Sequence, residues 1–187
     1  MLSPRRAALR EATEGQQRLV DALIEDANTF GDLSSYGDHL LRMHLFHRRF
    51  DKQLNTADYS IPARWRVADR VQWLVDDLAS LVLTPLLMSD AGLVHEPTLG
   101  SLGHRLGALY VLIGSELGAA FLVKRLGSLG LTSDSGGRYL SGLASSRAWP
   151  DFLLELESAR LDSEADLLAG ATETFDFLIG HLGEFQG

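Results

Sequence analysis

The longest apolar segment of the chain, residues 106–123, constrains its fold most strongly. Its eighteen positions hold one charged residue, Glu116, and two glycines, Gly114 and Gly118, that stand four residues apart. Each glycine destabilises a helix interior by about 1 kcal/mol relative to alanine. Residues four apart share a helix face, so one face of this helix lacks side chains. The pattern indicates that another helix or a flat ligand approaches the backbone closely.

A segment of this length is also at the short limit for a membrane-spanning helix. A carboxylate near its middle would be costly in lipid. We therefore interpret residues 106–123 as the buried central helix of a bundle and predict that the protein does not enter a membrane.

The rest of the chain follows the helical period, with no alternation typical of strands and no internal repeat. Its 187 residues suit one domain. We predict an all-α, single-domain helical bundle over residues 1–187. The expected helices are Arg5–Ala27, Ser34 or Ser35 to Leu54, Trp65–Leu83, Thr98–Leu129, Arg138–Leu143, Trp149–Ala159 and Ser163–Leu182.

Composition excludes several classes of function. The chain has no cysteine, which excludes disulfides, thiolate metal sites and a cysteine nucleophile. Its net charge of −8 argues against a nucleic-acid partner, which would require a basic surface. Arg5 and Arg6 are not followed by an apolar run, so a signal peptide is not expected. We expect a cytoplasmic protein.

Patterns along the chain resemble, in order, the helices of the heme oxygenases, most closely the bacterial biliverdin-forming enzymes found with bacteriophytochromes. Residues 106–118 resemble the distal helix of that family, and residues 9–13 resemble the start of its proximal helix. Weaker similarities lie at residues 36–54, 76–81, 137–140, 149–152 and 170–175. The match covers nearly the whole chain, so the resemblance implies a heme-oxygenase-like helical bundle.

The resemblance also implies a chemistry in which heme is both cofactor and substrate. Gly114 and Gly118 would let the distal helix approach the ligand, and Ser115 would join a water network around bound oxygen. Electrons would come from a ferredoxin or a flavoprotein, and a bacteriophytochrome would be a partner for the biliverdin product.

Two helices depart from the family pattern. The proximal helix of the family carries a histidine that ligates heme iron about four residues after a threonine, which here is Thr13. This chain has Gln17 at that position and no histidine before His39. A neutral amide oxygen is a poor ligand for heme iron. The second departure is on the distal helix, which in the family usually has a third small residue and often an acidic residue just before the first of the two glycines. Here these positions hold Ala119, a mild change, and Ile113.

Several charged residues could pair with the propionates of a tetrapyrrole, since guanidinium groups suit carboxylates. Each could equally be an ordinary surface charge. Phe175 could line the ligand site or belong to the core. The candidate cations are Arg10, Arg18, Lys124 and Arg125.

The histidines give no firm metal site. His44 and His47 are three residues apart, which fits either a metal or iron ligand or a solvated or half-buried helix face. The isolated histidines are interpreted as structural or exposed, and Asp76 and Asp77 as a helix end. The isolated histidines are His39, His95, His104 and His181.

Three functions remain open at this point. The first is a tetrapyrrole-binding protein, for heme or biliverdin, in which heme cleavage is lost or altered; Gln17 favours it. The second is an active heme oxygenase that forms biliverdin, CO and iron with a substitute axial ligand; the glycine pair favours it. The third is a structural or partner-binding bundle with a closed slot, which Ile113 favours because it adds an apolar side chain beside the glycines.

Overall fold

The computed structural model describes residues 3–54, 65, 67–83 and 97–183. Within these ranges the chain forms α-helices and only isolated β-bridges, which confirms the all-α prediction. The predicted loop at 55–62, His95 and the predicted irregular segment up to residue 96 lie outside the described residues. The helices are α1 (Pro4–Asp26), α2 (Leu33–Leu54), α3 (Val67–Ser80), α4 (Leu102–Leu122), α5 (Arg138–Ser145), α6 (Ala148–Ser158) and α7 (Glu164–Gly183).

Helix α4 forms the centre of the bundle and packs against α5, α6 and α7. Its N-terminus is capped by Ser101, whose Oγ accepts a hydrogen bond from the backbone N–H of His104 at 3.2 Å. The predicted helix continued to Leu129, but after Leu122 the chain tightens into a 3-10 helix, Val123–Leu129. Gly130 ends that segment in the left-handed conformation, with φ of 72°, which suits a residue without Cβ.

Glycines allow α4 and α7 to pack with their backbones in contact. A Cβ on Gly107 would lie 2.6 Å from the backbone nitrogen of Ala171, and a Cβ on Gly170 would lie 2.6 Å from Cα of His104. Both distances are far below van der Waals contact, so neither position tolerates a side chain unless the helices move apart. This contact holds α4 against α7.

The single charge in the apolar helix is neutralised inside the protein. Glu116 is 5% exposed and forms an ion pair with buried Arg70 on α3, with 3.3 Å between Nη2 and Oε1. The segment Leu102–Leu129 is long and apolar enough to cross a membrane, and half of its most apolar window is buried within the protein. A core helix passes the same test, so this helix is weak evidence for a membrane protein.

Candidate functional site

A cavity of about 490 Å³ separates α1 from α4. Helix α2 contributes another wall, and residues of α5 and α7 complete the lining. The lining is mostly aliphatic and aromatic, and its exposed rim includes Leu117 and Phe121. A largely apolar cavity of this size with a few polar groups is typical of a small-molecule or cofactor site.

One face of α1 supplies the first wall. Gln17, Val20, Asp21 and Ile24 line the cavity at the three- and four-residue spacing that places side chains on one helix face. The side-chain amide of Gln17 donates from Nε2 to Oδ1 of Asp21 at 3.0 Å. The register follows from Leu9 and Thr13, which are buried about two turns and one turn before Gln17, respectively.

The two glycines of α4 face different surroundings. A Cβ on Gly118 would meet nothing within 4 Å, and Gly118 lines the cavity. A Cβ on Gly114 would lie 3.4 Å from Cζ3 of Trp149, and Gly114 is not among the cavity residues. Gly118 therefore leaves space at the cavity, whereas Gly114 makes room for the indole ring of Trp149 on α6.

The other residues predicted on the distal helix lie beside Gly118. Ala119 is buried and lines the cavity, as does Ser115. The Ser115 hydroxyl donates to the carbonyl oxygen of Leu112 at 2.7 Å, so its oxygen remains available as an acceptor. Phe175 of α7 also lines the cavity and is 5% exposed.

Two buried histidines of α2 line the cavity. They are His39 and His47, eight residues and about 12 Å apart along the helix axis. From the sequence, the first is interpreted as structural or exposed, and the second only as part of a possible metal- or iron-ligand pair with His44. Burial lowers the pKa of His39 to about 4, with a smaller contribution from Arg42. Burial also lowers the pKa of His47 well below its usual range. Both imidazoles are therefore neutral at pH 7.

The ring of His47 is fixed by Tyr139, whose hydroxyl lies 2.8 Å from Nε2. Burial raises the pKa of Tyr139, so this hydroxyl stays protonated. The other ring nitrogen of His47, Nδ1, is buried and has no hydrogen-bond partner among the described residues. A neighbouring polar atom from a ligand or water would relieve the cost of leaving it unpaired.

Helix α3 positions Tyr139 through Asp77. The two carboxylate oxygens of Asp77 accept hydrogen bonds from the backbone N–H groups of Arg138 and Tyr139, both at 2.8 Å. Desolvation raises the pKa of Asp77, and these two hydrogen bonds oppose that shift. Asp77 thus caps the N-terminus of α5, whereas neighbouring Asp76 pairs with the Arg138 side chain at 3.2 Å.

A buried polar network behind Ser115 was also missed by the sequence analysis. The Arg70 guanidinium contacts the carbonyl oxygen of Leu112, and its Nη1 lies 3.5 Å from Oγ of Ser115. Its partner Glu116 additionally accepts from Oγ of Ser146 at 2.6 Å and from the backbone N–H of Trp149 at 3.3 Å. Glu116 was the available signal, because a carboxylate in an apolar helix requires a cationic partner.

The predicted propionate partners are not among the cavity-lining residues. Arg18 pairs with Glu14 on the exposed face of α1, at 3.6 Å, and Lys124 lies over the ring of Phe121. Arg125 pairs at 3.1 Å with Glu25, which does line the cavity. Arg10 is exposed on α1. Of these four, Arg125 is therefore the cation tied most directly to the cavity.

The described residues contain no group of three or more His, Cys, Asp or Glu side chains that could hold a metal ion. His44, the other member of the predicted pair, is buried on α2, and burial lowers its pKa. His104 bonds to Ser101 at the start of α4, and His181 bonds to the Phe177 carbonyl oxygen on α7, so both are part of the framework.

Comparison with known proteins gives two relevant matches. Heme oxygenase PigA of Pseudomonas aeruginosa is 40% identical over 80 residues, which is 41% of this chain and 40% of that protein. The match thus spans less than half of that curated relative. A heme oxygenase of Neisseria meningitidis, solved with NO and CO bound, superposes with a TM-score of 0.80 at 26% identity, over 96% of this chain and 90% of that one. No family model matches the chain. These matches confirm the resemblance to the heme oxygenases and the all-α fold.

Proposed function

We propose that this protein binds a tetrapyrrole, heme or biliverdin, in the cavity between α1 and α4, and that heme cleavage is lost or altered. The observation that carries the proposal is that Gln17 of α1 and Gly118 of α4 line one cavity. Gln17, which the sequence resemblance places at the position of the family's axial histidine, lines the same cavity as the bare backbone of Gly118. The heme-oxygenase relatives support a ligand of this chemical class.

The cavity suits a flat, largely apolar ligand. Its volume of about 490 Å³ is within the range of cofactor sites. A Cβ placed on Gly118 would have no atom within 4 Å. Val20, Phe175 and Leu178 supply apolar contact. When heme is bound in such a site, its iron supplies the oxygen chemistry, and an axial imidazole sets the electronics of the iron. Gln17 offers an amide instead, which ligates heme iron poorly.

A specific observation favours a second function, an active heme oxygenase with a substitute axial ligand. His39 lines the cavity, is fully buried, and has a pKa lowered to about 4 by burial. A neutral imidazole is the form that binds iron. In this alternative His39 of α2 would replace the missing ligand of α1, and the electron donor would be a ferredoxin or a flavoprotein.

The third function, a closed structural bundle, has less support. It rested on Ile113 filling the space beside the glycines. Ile113 is fully buried in the core and is not among the cavity-lining residues, so it leaves the space at Gly118 open. The predicted partnership with a bacteriophytochrome stays a prediction for the first two functions.

The experiment is a visible-absorption titration of the purified protein with hemin and, separately, with biliverdin. The reductant ascorbate is then added to the hemin complex. We expect binding without conversion of heme to a biliverdin spectrum. Gln17→His should introduce a histidine-ligated heme spectrum, because position 17 lies on the cavity-lining face of α1. Identical hemin spectra for parent and variant would mean that position 17 does not face the iron.

His39→Phe separates the first two functions. If the parent converts heme and His39→Phe loses both the ligated spectrum and the conversion, the second function is correct. If the parent binds neither hemin nor biliverdin, the tetrapyrrole proposal is wrong and the bundle is structural. The folded state of each variant is checked by its far-UV circular dichroism and thermal unfolding midpoint.

A further inference from the structure

The α1 wall of the cavity presents hydrogen-bond acceptors. An ionised carboxylate only accepts hydrogen bonds, so the amide of Gln17 turns its NH₂ group toward Asp21. The distance from Nε2 of Gln17 to Oδ1 of Asp21 is 3.0 Å. In this orientation the carbonyl oxygen of Gln17 accepts from none of the residues that the structure describes, and it is available to a ligand. The Asp21 carboxylate beside it lines the cavity too, and it has capacity for further donors. The wall at the family's axial position therefore suits a ligand that carries N–H groups.

The α2 wall adds an unsatisfied polar group. His47 lines the cavity, and its Nδ1 is buried without a partner among the described residues. Its Nε2 is occupied by the hydroxyl of Tyr139 at 2.8 Å. Because the imidazole is neutral, Nδ1 is either a donor or an acceptor according to the tautomer. A ligand group able to donate and accept hydrogen bonds at this end of the cavity would satisfy it in either state.

These groups distinguish two kinds of tetrapyrrole. In heme, all four pyrrole nitrogens bind the iron and carry no hydrogen, and the rim of the macrocycle is C–H apart from its propionates. Biliverdin, a metal-free linear tetrapyrrole, carries one N–H on a central ring and one on each of its two terminal lactams, and each lactam also carries a C=O. The acceptors of α1 match the ring N–H groups of this ligand, and the unpaired nitrogen of His47 matches a lactam.

We propose that the cavity selects a metal-free linear tetrapyrrole over heme, with Gln17 and Asp21 accepting hydrogen bonds from its ring N–H groups and His47 pairing with a terminal lactam. This inference rests on the proposed function, because it requires the cavity to be a tetrapyrrole site. In this site the amide oxygen of Gln17 would accept hydrogen bonds from N–H groups of the ligand, whereas an imidazole at the same position would ligate iron.

The test compares dissociation constants for two probes, biliverdin and hemin, each titrated into the ligand-free protein. We expect biliverdin to bind about tenfold more tightly or better. Gln17→Leu removes the acceptor, and Asp21→Asn removes the carboxylate at constant shape. Each should weaken biliverdin about fivefold to tenfold and change hemin affinity by less than about twofold. Both side chains are exposed at the cavity, so neither substitution should unfold the protein.

Glu14→Gln is the matched control, because Glu14 is on the same helix, lies outside the cavity and pairs with Arg18. It should leave both dissociation constants unchanged. His47→Phe should weaken biliverdin and shift the absorption band of the bound bilin, since a lactam loses its partner.

The outcomes separate this inference from the proposed function. Hemin binding as tightly as biliverdin, or tighter, overturns the selectivity and leaves the tetrapyrrole site in place. An equal loss of both ligands in Gln17→Leu and Asp21→Asn also overturns it, because the two residues would then serve shape and not hydrogen bonding. Binding of neither probe by the parent overturns the inference and the proposed function together.

Discussion

Substitution of the two α4 glycines by leucine should separate ligand binding from stability. Sequence reasoning treats Gly114 and Gly118 alike, as one bare face. In the structure a side chain at position 118 would extend into the cavity, with nothing within 4 Å of its Cβ, whereas a Cβ at position 114 would already lie 3.4 Å from Trp149. The two leucine variants should therefore differ in both measured quantities.

For Gly118→Leu, the helix gains the difference in intrinsic propensity, about 0.6–1 kcal/mol, and meets no steric cost at Cβ. The free energy of unfolding should thus rise slightly. The branched side chain would occupy part of the 490 Å³ cavity on the side opposite Gln17. We expect the dissociation constant for biliverdin or hemin to increase about 100-fold, which corresponds to about 2.7 kcal/mol of binding free energy.

For Gly114→Leu, the same gain in propensity is opposed by overpacking against Trp149, which typically costs about 1–3 kcal/mol. The net effect should be a loss of up to about 2 kcal/mol in the free energy of unfolding, with a smaller effect on ligand affinity. Urea unfolding and ligand titration of both variants are the assays. If Gly118→Leu binds ligand as the parent does, or if Gly114→Leu is the variant that loses binding, the assignment of the two faces is incorrect.

Three further changes test the framework and its charges. Gly170→Ala should lower the free energy of unfolding by about 3 kcal/mol in urea titrations, because a methyl group there would meet the backbone of α4; an unchanged midpoint would mean that the helices are not in close contact. Glu116→Ala should cost about 3–5 kcal/mol because it leaves buried Arg70 without its carboxylate, whereas Glu14→Ala at an exposed pair should cost less than about 0.5 kcal/mol. Burial lowers the pKa of His39 to about 4, so on acidification the unfolded chain binds this proton before the folded one, and His39 alone should lower stability by about 2 kcal/mol between pH 7 and 5. Buried His44 and His47 add losses of the same sign, so His39→Gln should make the profile less steep by about that amount, and an equally steep profile in the variant would contradict the assignment.

The helical periods and caps were sufficient to predict the all-α class and most helix positions. They could not predict how each residue of α4 is oriented around the helix axis. Positions 114 and 118 differ by about 40° around that axis and by about 6 Å along it. That offset is enough for one glycine to face Trp149 and the other to face the cavity, and it depends on how α4 packs against α7 through Gly170.

The polar part of the site was predictable only in outline. Glu116 within an apolar helix indicates a buried cation, but its partner Arg70 is 46 residues away on α3, and no local pattern connects them. The same holds for His47, because its pairing with Tyr139 spans 92 residues. A histidine on an amphipathic helix gives no sign that a cavity lies against it. From the sequence, His39 is therefore interpreted as structural or exposed, and His47 is only one member of a possible ligand pair with His44.

Gln17 shows why fold and chemistry are separable in this protein. Leu9 and Thr13 are buried and hold α1 in register, and Val20 continues the buried face after Gln17. None of these contacts depends on the side chain at position 17, which is exposed at the cavity and bonds only to Asp21 among the described residues. A change between imidazole and amide at this position therefore leaves the bundle intact and alters only what the cavity offers to a ligand. It follows that Gln17→His should change the spectrum of bound heme without changing the free energy of unfolding, and that combination distinguishes a change of ligation from a change of fold.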